Sequence, residues 1–318
     1  MNTNKVVALG ELLIDFTSES TDEGGYPTLK ANPGGAPANF LAALHTYGCE
    51  AAMLGKVGDD AFGHLLLKTL AEKGIDTGGI LVDPTVFTTL AFVTLDATGN
   101  REFSFARKPG ADTCLRADEV DLGLLQNADV LHFGTLSLTG EPARTATKTA
   151  IAQAQKAGKL ISFDPNLRKP LWPSEDAAKE QIEWGLHQAD IVKISDEEIE
   201  FLWGLTPEAG AQKLLAEYGV KLVYATLGPK GCHFANAQGS GEVASPSGIL
   251  VVDTTGAGDI FGGSAMSQFL ALGKAPEALT VDEMAAITRF ACCAASLSTQ
   301  KHGGINSVPA ESDVRAIL

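Results

Sequence analysis

Short runs rich in Val, Ile, Leu and Ala alternate along this chain with longer stretches of helical period. The pattern predicts strands over 6–16, 51–57, 88–96, 102–107, 130–135, 160–164, 191–194, 221–226, 232–237 and 249–253. It predicts helices over 36–47, 61–73, 142–157, 174–188, 196–203, 207–218, 257–272 and 281–299. From about residue 128 to 226 the two alternate strictly, as expected of βαβ units in a parallel sheet covered on both faces. Two regions break the rhythm. Residues 12–32 and 86–108 alternate polar and apolar positions with no helix between them, and 102–107 has a clean period of two. They predict a small separate β-sheet made from two insertions.

Composition narrows the class. A chain of 318 residues, 45% hydrophobic and 20% charged, is a foldable globular chain of one large domain. At that size folding buries roughly 75% of the unfolded surface, so neither disulfides nor a structural metal is needed. Lys and Arg number 24 against 39 Asp and Glu, a net charge of −15. Such a surface repels phosphate backbones and anionic lipid, which argues against nucleic acid or membrane as partner. The uncharged stretch 260–273 has 14 residues, short of the about 20 that a span needs. Five scattered cysteines (49, 114, 232, 292 and 293) with no C-x-x-C fit reduced thiols in a cytoplasm. Glu11 and Asp15 break the first apolar run, so no signal peptide is expected.

The strongest chemical signal is Asp253-Thr254-Thr255-Gly256-Ala257-Gly258-Asp259, between a predicted strand and a predicted helix. Glycines admit a ligand to the backbone, and the free N–H groups of a helix N-terminus hold an anion. Developing charge on a transferred phosphoryl group can be stabilised there, with Asp259 beside it to take a proton from an attacking hydroxyl. Ordinary helix capping explains the same residues. A dinucleotide fingerprint over Gly256, Gly258 and Gly262 fails because more helix follows where a strand is required. Gly58–Gly63 lacks the Lys-Ser/Thr of a Walker A loop.

Weaker signals lie elsewhere. Asn32-Pro33-Gly34-Gly35-Ala36-Pro37-Ala38-Asn39 joins the small sheet to a helix and offers Asn39 as donor and acceptor, or is a plain turn. Asp15 at the end of the first predicted strand can accept two sugar hydroxyls. Arg168, after the strand-end segment Phe163-Asp164-Pro165-Asn166, can clamp a polar group. Glu198 can hold Mg²⁺ through water or simply favour a helix N-terminus. The turn Thr226-Leu227-Gly228-Pro229-Lys230-Gly231 can cover a nucleotide or link a hairpin. The six histidines show no metal-ligand spacing.

In their order these segments resemble the PfkB (ribokinase-like) family of carbohydrate kinases over essentially the whole chain, and the Gly-Gly-Ala-Pro-Ala-Asn and Asp-Thr-Thr-Gly-Ala-Gly-Asp segments match its two signatures. Within the family the likeness is closest to fructokinases, through the loop from Phe163 to Ser174, Val192–Glu198 and Arg289–Cys292. Ser195 stands where ribokinases have Asn, as in fructokinases, and Ala106 where the lid commonly carries an aromatic.

The resemblance implies a three-layer α/β/α sandwich with a mostly parallel central sheet, one kinase domain over 1–318, and a β-sheet lid from about 12–32 and 86–108. It implies ATP-dependent phosphorylation of a sugar, most naturally D-fructose to fructose 6-phosphate. A carboxylate-bearing sugar acid, 2-keto-3-deoxygluconate, is the rival substrate, with a catalytically inactive sugar- or nucleotide-binding protein beyond it. Asp259 would be the base and Gly256, Ala257 and Gly258 the anion hole. Asp15, Gly34, Gly35, Asn39 and Arg168 would hold the sugar, with Phe103, Phe105 and Arg107 reaching it from the lid. Lys193, Thr226, Gly228 and Gly231 would line the nucleotide, and Glu198 would hold Mg²⁺. Asp253, Thr255, Gly303 and Ser307 would surround a monovalent cation such as K⁺. The lid's outer face predicts a lid-to-lid homodimer.

Overall fold

The structure, a computed structural model, describes residues 4–95 and 101–318. Strand β1 (Lys5–Leu9) leads into the lid strands β2 (Leu13–Thr21) and β3 (Pro27–Gly34). Helix α1 (Ala36–Thr46), β4 (Glu50–Gly58), α2 (Ala61–Glu72) and β5 (Asp76–Asp83) return the chain to the central sheet. A second excursion builds β6 (Leu90–Leu95) and β7 (Arg101–Ala106) of the lid. Then α3 (Leu122–Gln126), β8 (Val130–Gly134), α4 (Ala143–Lys156), β9 (Leu160–Asp164), α5 (Glu175–Leu186), β10 (Ile191–Ser195), α6 (Asp196–Trp203), α7 (Pro207–Glu217) and β11 (Leu222–Thr226) follow in alternation. The hairpin β12 (Cys232–Asn236) and β13 (Gly239–Val243) precedes α8 (Ala257–Ala271), α9 (Val281–Ser298) and α10 (Glu311–Arg315).

The central sheet has nine strands in the order β13-β12-β11-β10-β9-β8-β1-β4-β5. Pairing is parallel from β11 through to β5 and antiparallel at β11–β12 and β12–β13. Period-two alternation sorts the side chains onto two faces. Val6 and Ala8 of β1 join the core under α1, α2, α8 and α9, while Val7 and Leu9 join the one under α4–α7. Burial on both faces is why these strands read as continuous apolar runs. The lid is a four-stranded sheet, β3-β2-β6-β7. Among the described residues no helix is long and apolar enough to cross a membrane.

Three expectations need correction. The predicted strand 6–16 is two strands, β1 and β2, separated where Gly10-Glu11-Leu12 crosses from the central sheet to the lid. The apolar run hides the break because Leu12 is fully buried at the crossing. The expected strand 249–253 has no ladder partner among the described residues, and its Leu250 is 77% exposed. The edge position belongs instead to β13, whose sequence GSGEV carries little apolar signal. Strand β5 was not expected; Gly78 and Gly79 dilute its β-branched pattern.

Candidate active site

Helix α8 begins at Ala257, with Gly256 before it in the left-handed conformation at φ 78°. A Cβ on Gly256 would lie 2.8 Å from the Gly304 backbone and 3.0 Å from Asn39 Nδ2, so only glycine suits both the angle and the space. Among the described residues no side chain caps α8. The Ala257 N–H reaches the Thr254 carbonyl at 3.2 Å, and the first turn otherwise offers its N–H groups to an anion, which sets aside the plain capping reading.

Asp259 sits in this first turn, 8% exposed. Its Oδ2 accepts from Asn39 Nδ2 at 2.9 Å and its Oδ1 from Asn166 Nδ2 at 3.3 Å. Burial pushes its carboxyl above the usual range, against the pull of Asn39, Lys193 and Arg168. The contact with Asn39 follows from helix packing: α1 and α8 meet where Gly263 leaves room for the Phe40 carbonyl, which any Cβ would strike. Asn39 Oδ1 is buried and has no hydrogen-bond partner among the described residues. Asn166 holds a positive φ of 43°, supported by its own N–H donating to Asp164 Oδ1 at 3.1 Å. Strain of this kind collects at functional sites.

Two cavities meet at this turn. A polar one of about 670 Å³ lies under the lid, lined by Glu11, Asp15, Gly35, Asn39, Phe105, Asn166, Arg168 and Asp259. A second of about 520 Å³ is largely apolar and is lined by Thr226, Gly228, Gly231, Val251, Phe261 and Cys292. Thr254 and Gly258 belong to both, so the start of α8 is their common wall. Burial drives Glu11 and Asp15 each up to about 7. Lys193 Nζ lies 3.0 Å from Asp164 Oδ2 and within reach of the Gly258 backbone. Burial opposes its charge, but Asp164, Glu198 and Asp259 outweigh that and raise it above the ordinary lysine value. It lines the polar cavity rather than the apolar one, beneath the helix N-terminus.

Three expected residues stand differently from the sequence reading. Asp15 is not at the end of a central strand; it lies within β2 of the lid, opposite Asn32 and Ala91, with its carboxylate in the polar cavity. Gly34 does not line that cavity; its missing side chain makes room for the Asp15 carboxylate. Arg107 does not line it either: its guanidinium is buried on Asp112, Thr139 and the Leu136 carbonyl. The Phe103 side chain lies outside the described residues.

The pfkB family carbohydrate kinase description matches residues 3–311. The chain belongs to the pfkB family of carbohydrate kinases. It is 42% identical to fructokinase-1 of Zea mays over 98% of this chain and 97% of that one. A fructokinase from Xylella fastidiosa with bound ATP superposes with a TM-score of 0.89 at 30% identity, covering 98% of this chain and 97% of that chain. A fructokinase double mutant from Vibrio cholerae O395, bound to fructose, ADP and potassium ion, superposes with a TM-score of 0.86 at 30% identity, covering 99% and 98%.

Around the shared wall of this kinase, two further groups of expected residues come together. Asp253 is 4% exposed and closes two loops: its Oδ1 accepts from Thr255 N–H at 2.9 Å and its Oδ2 from Gly303 N–H at 3.2 Å. Ser307 donates to the Gly304 carbonyl at 2.9 Å beside them. Carboxylate, hydroxyl and carbonyl oxygens form a donor set that suits a hard cation. Glu198 is the N3 residue of a capping box with Ser195, accepting Ser195 N–H and Leu167 N–H at 2.8 Å each. Each of its oxygens keeps a lone pair, so it fits a metal held through water and not one held tightly by protein. The sequence reading did not single out Glu11, Asn166, Thr254 or Gly304. Glu11 accepts Ala36 N–H at 2.9 Å and reaches the cavity only because the chain turns into the lid there.

Proposed function

We propose that this kinase transfers the γ-phosphoryl group of ATP to a hydroxyl of D-fructose, giving fructose 6-phosphate and ADP. The observation that carries the reading is the position of Asp259 in the polar cavity, next to Gly258, which walls both the polar and the apolar cavity. Fructose occupies the polar cavity, where Asp15 accepts its hydroxyls, Asn39 and Arg168 orient it, and Phe105 covers it from the lid. ATP lies in the apolar cavity over Thr226, Gly228 and Gly231. Asp259 accepts the proton of the attacking hydroxyl as the bond to phosphorus forms and the bond to the ADP oxygen breaks. The N–H groups of Gly256, Gly258 and Asp259 and the Lys193 ammonium hold the charge that spreads over the phosphoryl oxygens. In a loose transition state this positioning and neutralisation supply most of the catalysis.

Glu198, through water, would hold the Mg²⁺ that neutralises the ATP phosphates. Asp253, Thr255, Gly303 and Ser307 would hold K⁺, which adds positive charge beside the helix N-terminus. Closure of the lid excludes water from the transferring group. Residues 21–30 of its outer edge are exposed, including Tyr26 at 73% and Leu29 at 38%, which supports pairing of two lids in a homodimer. The five free thiols suit a reducing compartment such as the cytoplasm.

A sugar acid is disfavoured. Arg107 is committed to Asp112, and Glu11, Asp15, Glu197 and Asp259 would oppose a further carboxylate in the polar cavity. An inactive binding protein would have no need of an intact base at the shared wall. The test is ADP release with Mg-ATP and K⁺ across fructose, 2-keto-3-deoxygluconate, ribose, glucose and adenosine. Fructose alone should give a strong response. A response to the keto-acid in preference to fructose would replace the substrate assignment, and silence with every sugar in a chain that binds ATP would overturn the activity.

A further inference from the structure

We infer that Glu208, His233 and Glu242 form a binding site for one divalent transition-metal ion of the zinc class, on the sheet face turned away from the nucleotide cavity. Three elements contribute. His233 of β12 and Glu242 of β13 are direct cross-strand partners, so their side chains leave the same face. Glu208 lies in the first turn of α7, which packs on β12. A ring nitrogen of His233 and one carboxylate oxygen from each glutamate lie within 4.8 Å of one another. Metal–ligand bonds of about 2.0–2.2 Å bring ligand atoms to roughly 3–3.6 Å apart, so closure asks for about an ångström of movement. Both glutamates are exposed and can supply it by rotation alone.

The histidine separates this cluster from an ordinary acidic patch. His233 is 5% exposed, and its Nε2 is buried with no hydrogen-bond partner among the described residues. An imidazole in that position needs a reason. Its direction follows from the strand: Cys232 and Phe234 pack into the core with α8 and α9, whereas Ala235 packs into the core with α7. His233 therefore points at α7 and away from the cavity walled by Phe261 and Cys292. One imidazole nitrogen with two carboxylate oxygens and an open position for water matches the zinc class. Mg²⁺ prefers an all-oxygen shell and keeps its waters, so it should compete poorly. The ion would tie α7 to the β12–β13 hairpin.

The test is calorimetric titration of the chelator-treated full-length chain with Zn²⁺ in excess Mg²⁺, with a Co²⁺ spectrum alongside. One equivalent should bind, with no thiolate charge-transfer band for Co²⁺. Glu208→Gln and Glu242→Gln should each weaken binding by about tenfold or more, and His233→Gln should abolish it. The two glutamates are exposed, so their variants keep the test decisive if His233→Gln folds poorly. No binding to the wild-type chain would overturn the site. So would unchanged binding in the double glutamine variant, equal competition by Mg²⁺, or a thiolate band.

Discussion

Replacing Arg107 by alanine separates a sugar ligand from a structural pin. The guanidinium donates through Nε and Nη2 to Asp112 Oδ2 at 2.8 and 2.6 Å, through Nη1 to Thr139 Oγ1 at 2.8 Å, and through Nη2 to the Leu136 carbonyl at 2.8 Å. Asp112 also accepts from the Thr89 hydroxyl, so the feet of β6 and β7 are fastened to the body through one carboxylate. Alanine strands Asp112, 5% exposed, without its cation. Breaking one side of such a buried pair costs about 3–5 kcal/mol. In a chain of this size each kcal/mol moves the melting temperature by about 1.5 °C, so Arg107→Ala should lose roughly 5–8 °C. Changing Arg107→Met together with Asp112→Leu should recover most of that loss, because the stranded charge goes too. The fructose KM should change less than about threefold in the double variant, because the guanidinium does not line the sugar cavity. Thermal melts by circular dichroism and steady-state kinetics read both quantities. An Arg107→Ala variant with the wild-type melting temperature and a KM raised tenfold would refute the reasoning.

Burial raises Glu11 and Asp15 to about 7. The folded chain therefore binds more protons at these groups than the unfolded chain between about pH 4 and pH 7, and their contribution to stability falls as pH rises through that window. Urea titrations of wild type and Asp15→Asn should show the variant gaining relative stability from about pH 5 to about pH 8; a pH-independent difference would contradict it. Gly263→Ala puts a methyl against the Phe40 carbonyl, and should cost about 1–3 kcal/mol and lower kcat as α1 shifts Asn39 from Asp259. A variant neutral in both melting and turnover would remove the packing argument. Light scattering at micromolar concentration should give twice the 33.2 kDa chain mass, falling to one chain in Leu29→Asp; a wild-type monomer would end the lid-dimer proposal.

Much of the frame was legible because each central strand is buried on both faces and each helix on one. Eight predicted helices match observed ones to within about two residues at each end, within the usual ambiguity of helix boundaries. The Asp253–Asp259 segment was legible for a different reason: an uncapped, glycine-led helix start leaves a distinctive sequence. What stayed hidden depends on tertiary proximity. The alternation over 12–32 announces a separate sheet, but nothing local says where the chain leaves the central one, so Asp15 reads as the end of the first strand until Gly10 is seen to divide β1 from β2. Arg107 reads as a free cation until the fold brings Asp112 and the Leu136 carbonyl to it. Asn166 reads as a turn residue until β9 and α8 set it beside Asp259, 93 residues away. Strand β13 has too few apolar residues to announce itself, and 249–252 has enough to imitate a strand without a neighbour to pair with among the described residues.

The most direct measurement is the turnover of Asp259→Asn at saturating fructose and Mg-ATP, with fructose binding measured in parallel. The substitution keeps the shape of the side chain at the shared wall and removes its capacity to take a proton. Turnover should fall by about 10²–10⁴-fold, the usual worth of a general base, while the chain stays folded and still binds the sugar. A wild-type rate in that variant would contradict Asp259 as the base and, with it, the account of phosphoryl transfer at the junction of the two cavities.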